Sequence, residues 1–306
     1  MRFLFYRNFT DPYEWQWKDG NSRWDMLDVV RMTRALRPEG INWPFASDGK
    51  PTNRLELLSE LNKLDHANAH DALSDVNATI AVARMIRDKQ PKLFDYLLSM
   101  RDKKQVAKLV QSKEPFVYTS GKYAAEFDKT TVAYFLGNRA DNQGDLVYDL
   151  RHDPTEFLAL SPQELAERWR YTKEPDAKTR LPIKTIKHNR CPAVAPLGVL
   201  NDENKQRLQI DLTTIRSHKE ILDQDTGFLQ RVHDALKILD KDRQQTTMIV
   251  DDSTVDGLLY DSFIGDRDKT VSRAITSARP AELSQMLADL KDQRLKALLP
   301  LYKARN

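Results

Sequence analysis

His70 and Asp75 stand five residues apart in the string Asn68-Ala69-His70-Asp71-Ala72-Leu73-Ser74-Asp75, and the two side chains could serve as a general base and a metal ligand. An imidazole with an ordinary pKa of about 6.5 suits proton abstraction from water. A carboxylate suits a hard cation such as Mg²⁺, which is generally held by protein carboxylates together with substrate phosphate. The pair is therefore half of a hydrolytic site. Five residues along one regular helix would splay the two side chains by ~140°, so His70 must precede a helix that Asp75 enters by about one turn. The competing reading is structural, with Asn68 or Asp71 as a helix cap and the other two side chains solvated. His233-Asp234-Ala235-Leu236 shows how readily the short string recurs, because its fifth residue beyond the histidine is Ile238, which cannot bind a metal.

Positioning such residues requires elements, and hydrophobic spacing supplies them. Asn21-Ser22 offers a cap before an apolar pattern through Trp24, Leu27, Val30 and Leu36, which Pro38 and Gly40 end. A second helix is expected from Arg54 to Leu64. A third should run from Ala72 to Arg87 and bury Leu73, Val76, Ile80 and Ala83, with Gln90-Pro91 closing it. Lys92 to Val110 reads as one further helix. Phe116–Tyr118, Thr131–Phe135, Leu146–Tyr148 and Ile183–Ile186 are β-branched and aromatic runs bounded by Gly, Asn, Asp and Pro, which predicts a small barrel or sheet. Helical patterning returns from Asp202 and finishes in a charged helix near Ala281 to Lys303.

The chain has 306 residues, 40% hydrophobic and 30% charged, as expected for two or three globular domains. Its one cysteine, Cys191, excludes an internal disulfide, and no apolar run approaches the roughly 18 residues that would span a bilayer. A reducing cytoplasm is expected. The net charge of +3 decides little, because a phosphate chain responds to local charge. Locally, Arg168 to Arg190 holds eight Lys or Arg against Glu174 and Asp176, and this run enters the strand that carries Lys184. Ten aromatics lie in the first 45 residues. Of these, Phe3, Phe5 and Trp24 are expected in a core, whereas Tyr13 and Trp17 fall in a polar, helix-breaking segment. Arg31, Arg34 and Arg37 repeat at a spacing of three, as an exposed stripe would.

Longer strings carry more. Phe5-Tyr6-Arg7-Asn8-Phe9, Asp11-Pro12-Tyr13, Asn21-Ser22-Arg23-Trp24-Asp25, Leu36-Arg37-Pro38-Glu39-Gly40-Ile41-Asn42-Trp43-Pro44 and Asn68-Ala69-His70-Asp71-Ala72 together resemble the bacterial exodeoxyribonuclease I family. The similarity continues through Asn189-Arg190-Cys191-Pro192 to Tyr302-Lys303-Ala304-Arg305-Asn306, so it spans essentially the whole chain. The resemblance implies an α/β, multidomain protein. Residues 1–91 would be the C-terminal part of a ribonuclease-H-like 3′–5′ exonuclease domain of the proofreading type. Residues 92–248 would be a Src-homology-3-like β-barrel domain, and residues 249–306 the start of a C-terminal helical domain.

The resemblance further implies Mg²⁺-dependent removal of 5′-mononucleotides from the 3′ end of single-stranded DNA, in repair and recombination. Two Mg²⁺ ions would serve the complete family site. His70 matches the general base and Asp75 the last metal ligand. Arg54 matches a position near the 3′-terminal nucleotide, and Arg2, Tyr13, Trp17, Arg31, Arg37, Tyr96, Lys103, Lys184 and Asn189 match other DNA-contacting positions. The implied partners are single-stranded DNA and the single-stranded-DNA-binding protein, with the enzyme a monomer and no membrane involved. The family's other carboxylates begin with an Asp-x-Glu, and no Asp-x-Glu occurs between residues 1 and 306. The chain is accordingly expected to be an internal piece of a longer exonuclease, truncated at both ends. The alternative is a noncatalytic remnant that binds single-stranded DNA.

Overall fold

Five antiparallel strands form one sheet in the order β4-β3-β2-β1-β5: β1 (Phe116–Thr119), β2 (Thr130–Asn138), β3 (Asp145–Asp149), β4 (Ile183–Ile186) and β5 (Ala193–Pro196). The computed structural model describes residues 1–64, 72–170, 179–247 and 257–305. Four strands fall where the β-branched runs predict them. The fifth, Ala193-Val194-Ala195-Pro196, lies at an edge, where a proline is tolerated because no donor is needed on the open side.

In chain order the helices are α1 (Arg2–Arg7), α2 (Met26–Leu36), α3 (Leu55–Leu61), α4 (Ala72–Lys89), α5 (Pro91–Ser99), α6 (Lys103–Val110), α7 (Thr155–Leu158), α8 (Pro162–Trp169), α9 (Asp202–Arg207), α10 (Leu212–Gln224), α11 (Phe228–Thr247), α12 (Asp266–Ser277) and α13 (Gln293–Arg305). None of these described helices is long and apolar enough to cross a membrane. The chain divides into two compact units, Trp24–Arg243 and the pair of segments Met1–Arg23 and Gln244–Asn306.

In the larger unit the sheet is buried on both faces, and its side chains alternate as the strand period of two demands. Val117, Val132, Tyr134, Leu146, Tyr148, Ile183 and Ala195 join a core with α2, α5, α8, α10 and α11. Phe116, Tyr118, Ala133, Val147, Ile186 and Val194 face the other way, onto Val106 and Val110 of α6. A bulge between Phe135 and Gly137 bends β2. A Cβ at Gly137 would lie 2.6 Å from Leu229 of α11, so glycine permits that approach.

In the larger unit three expectations about the helices are corrected. The helix α2 is capped by Asp25, whose carboxylate accepts from the Leu27 N–H at 2.9 Å, rather than by Asn21-Ser22. The span Lys92 to Val110 is two helices, because Asp102 turns the chain and caps α6 through the Lys104 N–H. On α4, Leu73, Val76 and Ile80 are exposed, and Ala78, Val82 and Ile86 are buried instead. The helix carries two apolar stripes on roughly opposite sides, and only one meets α2, α3 and α5.

In the smaller unit, Tyr6 and Phe9 pack with Leu259, Ile275, Leu283, Leu290, Leu295, Leu298 and Leu299. Phe3, expected in the core, is 39% exposed and meets Tyr260 edge-on at 5.7 Å. The expected terminal helix begins only at Gln293, after a 3₁₀ turn over Gln285–Ala288.

Candidate nucleic-acid interface

Lys184 projects from β4 on the sheet face that packs against α6, the side also occupied by Ile186. Its ammonium lies 3.1 Å from the centroid of the Tyr123 ring, and Tyr123 meets Tyr118 edge-on at 5.4 Å. Tyr123 is buried and its hydroxyl has no hydrogen-bond partner. Burial is the main reason that the Lys184 pKa falls to about 7. Arg180, Lys122 and Lys129 push it further down, while Asp149 opposes them. Lys129 is in turn lowered by burial and by Arg31.

The cations that act on one another here come from separate parts of the sequence. Arg31 comes from α2, Lys122 and Lys129 from the β1–β2 connection, Arg180 from the approach to β4 and Lys184 from β4 itself. Arg31 pairs with Asp28 at 2.6 Å and lies over Gly121, where a Cβ would sit 2.9 Å from the guanidinium. Asp28 is raised above the usual carboxylate range, chiefly by burial and against the pull of Arg31.

Asn189 is exposed in the 3₁₀ turn His188–Arg190. That turn is anchored by a contact of 2.7 Å from His188 Nε2 to Asp145. Asp145, only 1% exposed, also accepts from Asn138 at 2.8 Å and from Gln111 at 3.0 Å, which satisfies its buried carboxylate. Tyr96 donates to the Val194 carbonyl at 3.2 Å, and burial raises its phenol to about 12. Lys103 opens α6 and is exposed. Arg54 precedes α3, is exposed and pairs with Glu56 at 3.5 Å.

Arg34 and Arg37 behave differently. Arg34, expected on an exposed stripe, is 3% exposed and pairs with Asp128 at 3.2 Å. It donates to the carbonyls of Pro44 and Thr52 at 2.9 and 2.7 Å, and its guanidinium lies over Phe45 at 4.8 Å. Arg37 donates to the carbonyls of Leu36 and Val199 and to Asn204, at 2.5 to 3.1 Å. From the other side Arg207 reaches Asp128 and the carbonyls of Arg34 and Ala35, so these arginines join α2 to α9 and to the loop before β2.

Arg2, Tyr13 and Trp17 belong to the smaller unit. The Arg2 guanidinium lies 4.9 Å from the Tyr13 ring centroid and donates to the Gln16 side chain at 3.3 Å. Tyr13 also meets Phe263 edge-on at 5.4 Å, and Trp17 is 60% exposed. Asp75 lies in the first turn of α4, where a negative charge suits the helix dipole. Helical geometry sets it ~20° from Val82, toward the buried stripe. His70 lies outside the described residues. Among the described residues no three His, Cys, Asp or Glu cluster to hold a metal ion.

The basic run from Arg168 to Arg190 contains Arg180 and Lys184, whereas Lys122, Tyr123 and Lys129 lie outside it. The string Gly121-Lys122-Tyr123 was their one local signal, a glycine beside a cation and an aromatic ring. Cations beside aromatic rings are a feature of surfaces that hold polyanionic strands.

Comparison with known proteins makes the class particular. Residues 101–237 match the family described as Exonuclease I SH3-like domain, and residues 253–306 match Exonuclease I C-terminal domain. Exodeoxyribonuclease I of Haemophilus influenzae is 40% identical over all of this chain, which covers 64% of that protein. The crystal structure of Escherichia coli Exonuclease I in complex with a dA16 oligonucleotide superposes with a TM-score of 0.87 at 35% identity, covering all of this chain and 64% of the other. A further structure, the ExoI/SSB-Ct complex, gives a TM-score of 0.83 at 35% identity, with 100% and 63% covered. The chain belongs to the exodeoxyribonuclease I family, and it spans less than two thirds of the length of these relatives.

Proposed function

We propose that this chain binds single-stranded DNA through the cationic cluster around Lys184, as part of an exodeoxyribonuclease I. The observation that carries the reading is the seat of Lys184 on the Tyr123 ring, with Arg180, Lys122 and Lys129 near enough to act on its charge, in a chain of this family. Arg54, Lys103 and Asn189 add exposed polar groups that could reach phosphates. Arg2, Tyr13 and Trp17 add aromatic and cationic surface from the smaller unit, where rings could stack bases without sequence preference.

The full reaction in this proposal is 3′ to 5′ hydrolysis releasing 5′-mononucleotides, with His70 as general base, Asp75 as a metal ligand and Mg²⁺ as cofactor. These assignments rest on the family resemblance. Acting on single-stranded DNA in repair and recombination, the protein would work as a monomer in the cytoplasm, and the C-terminal segment of the single-stranded-DNA-binding protein is its proposed protein partner. For residues 1–306 alone, the absence of Asp-x-Glu favours binding without turnover.

A 3′-labelled oligonucleotide tests both halves. The expected result is retention of the strand with no release of mononucleotide in Mg²⁺. Release abolished by His70→Ala would show that these residues suffice for cleavage. An absence of binding at low salt would remove the proposal altogether.

A further inference from the structure

The smaller unit contains an open cavity of about 300 Å³, at the lower end of the range for small-molecule sites. Its apolar lining includes Tyr6, Phe9 and Leu295, all buried. Ser272 also lines it, is 6% exposed, and has a buried hydroxyl with no hydrogen-bond partner. An orphan buried hydroxyl is unfavourable, and a ligand that supplies a donor or acceptor would relieve it.

The charges on the walls are matched within the protein. Asp11 meets Lys269 at 3.2 Å, and Glu14 meets Lys18 at 3.1 Å and Arg273 at 3.0 Å. A bare anion entering the cavity would meet the two carboxylates, and a purely apolar side chain would leave Ser272 unsatisfied. A flat, neutral group with polar edges answers both conditions. Lys18 and Arg273 both pair with Glu14, but their side chains are 50% and 66% exposed, so each keeps further N–H donors that a phosphate could reach. Trp17, beside Lys18 in the sequence, presents an exposed ring on which a neighbouring base could stack.

We propose that this cavity receives one unpaired nucleobase of the bound single strand, with Ser272 hydrogen-bonding its edge and Lys18 and Arg273 holding the adjoining phosphate. The inference rests on the strand-binding reading above and places a base-reading site in the smaller unit, away from the Lys184 cluster in sequence and in compact unit. Such a pocket would accept a base by shape and by one hydrogen bond, and so would discriminate weakly among the four.

The test uses the full chain with methyl-labelled Ile264 and Leu295, titrated with deoxyadenosine 5′-monophosphate, with deoxyribose 5-phosphate and with a dT12 oligonucleotide. The nucleotide and the oligonucleotide should shift both methyl signals, and the base-free sugar phosphate should not. Ser272→Leu, which fills the cavity, should weaken nucleotide binding by roughly tenfold, as expected for loss of one stacked base. Ser272→Ala keeps the cavity and should weaken it only severalfold, which gives a second variant if the leucine protein does not fold. If dT12 binds by fluorescence anisotropy while both methyl signals stay in place, the pocket is wrong and strand binding stands. Equal shifts from the sugar phosphate, or shifts from an apolar peptide in place of the nucleotide, also overturn the pocket. Should dT12 not bind at all, the strand-binding reading fails and the pocket falls with it.

Discussion

Arg31 and Arg37 lie on or next to the same helix, two turns apart at most, yet they belong to regions with opposite uses of positive charge. Around Arg34, Arg37 and Arg207 the guanidinium groups are consumed by Asp128 and by backbone carbonyls. Around Lys184 burial against the Tyr123 ring is the main cause that lowers the amine's pKa, and the neighbouring Arg180, Lys122 and Lys129 lower it further. Arg31, Arg34 and Arg37 share residue type and a spacing of three, yet differ in the acceptors that surround the charge. A cation encircled by carbonyls stabilises the fold, whereas in our proposal Lys184, set beside other cations, would meet an external anion, with Arg31 held next to it by Asp28.

Breaking the first region should have the largest effect. Arg34→Ala leaves Asp128 buried without that partner and frees the carbonyls of Pro44 and Thr52, which should cost about 3–5 kcal/mol of stability. Denaturant unfolding checks this, and a loss under about 1 kcal/mol would mean that the region is not structural. Arg37→Ala should cost about 1–2 kcal/mol through its lost hydrogen bonds. It sharpens the comparison if stability falls by that amount while strand affinity changes less than stability does.

The second region should respond to pH. The Lys184 amine holds its proton to about 7, against 10.5 as its ordinary value, and an approaching phosphate would raise it again. Binding therefore takes up a proton, and affinity for a single strand should fall severalfold as pH rises from about 6 to 8.5. Lys184→Ala should flatten that profile, and an unchanged profile would dissociate Lys184 from the strand. Stability has the opposite sign, because between about 7 and 10.5 the unfolded chain binds the extra proton, so this group's contribution rises with pH across that window.

The smallest effect concerns Gly121. A Cβ there would press on the Arg31 guanidinium, which is the end of a flexible side chain and can move aside. Gly121→Ala should alter stability by less than about 1 kcal/mol while weakening strand binding about twofold. A large loss of stability instead would mark Arg31 as part of the structural set.

Much of the fold was legible because strand and helix periods differ. Phe116–Tyr118 and Leu146–Tyr148 could be read directly, since β-branched and aromatic residues suit a pleated surface. Ala193–Pro196 could not, because small residues and a proline carry no strand signal and its place is fixed by pairing with β1. The stripe Leu73, Val76, Ile80 has the correct helical period, but periodicity cannot say which of two apolar stripes faces inward. Arg34 looked exposed for a similar reason, as its acceptors lie 10 and 18 residues away at Pro44 and Thr52 and 94 away at Asp128. Lys184 was marked by family likeness and by its basic run. Its seat on Tyr123 emerges only when β4 and the β1–β2 connection come together.

The most direct test of the account is the salt dependence of single-strand binding by the full chain and by Lys184→Ala. Each phosphate contact on a single strand contributes about −0.7 to the slope of log affinity against log salt. Losing Lys184 should make the slope shallower by about that amount at pH 6, where the amine is charged, with no loss of thermal stability. An identical slope in the two proteins would contradict the claim that the Lys184 cluster grips the strand.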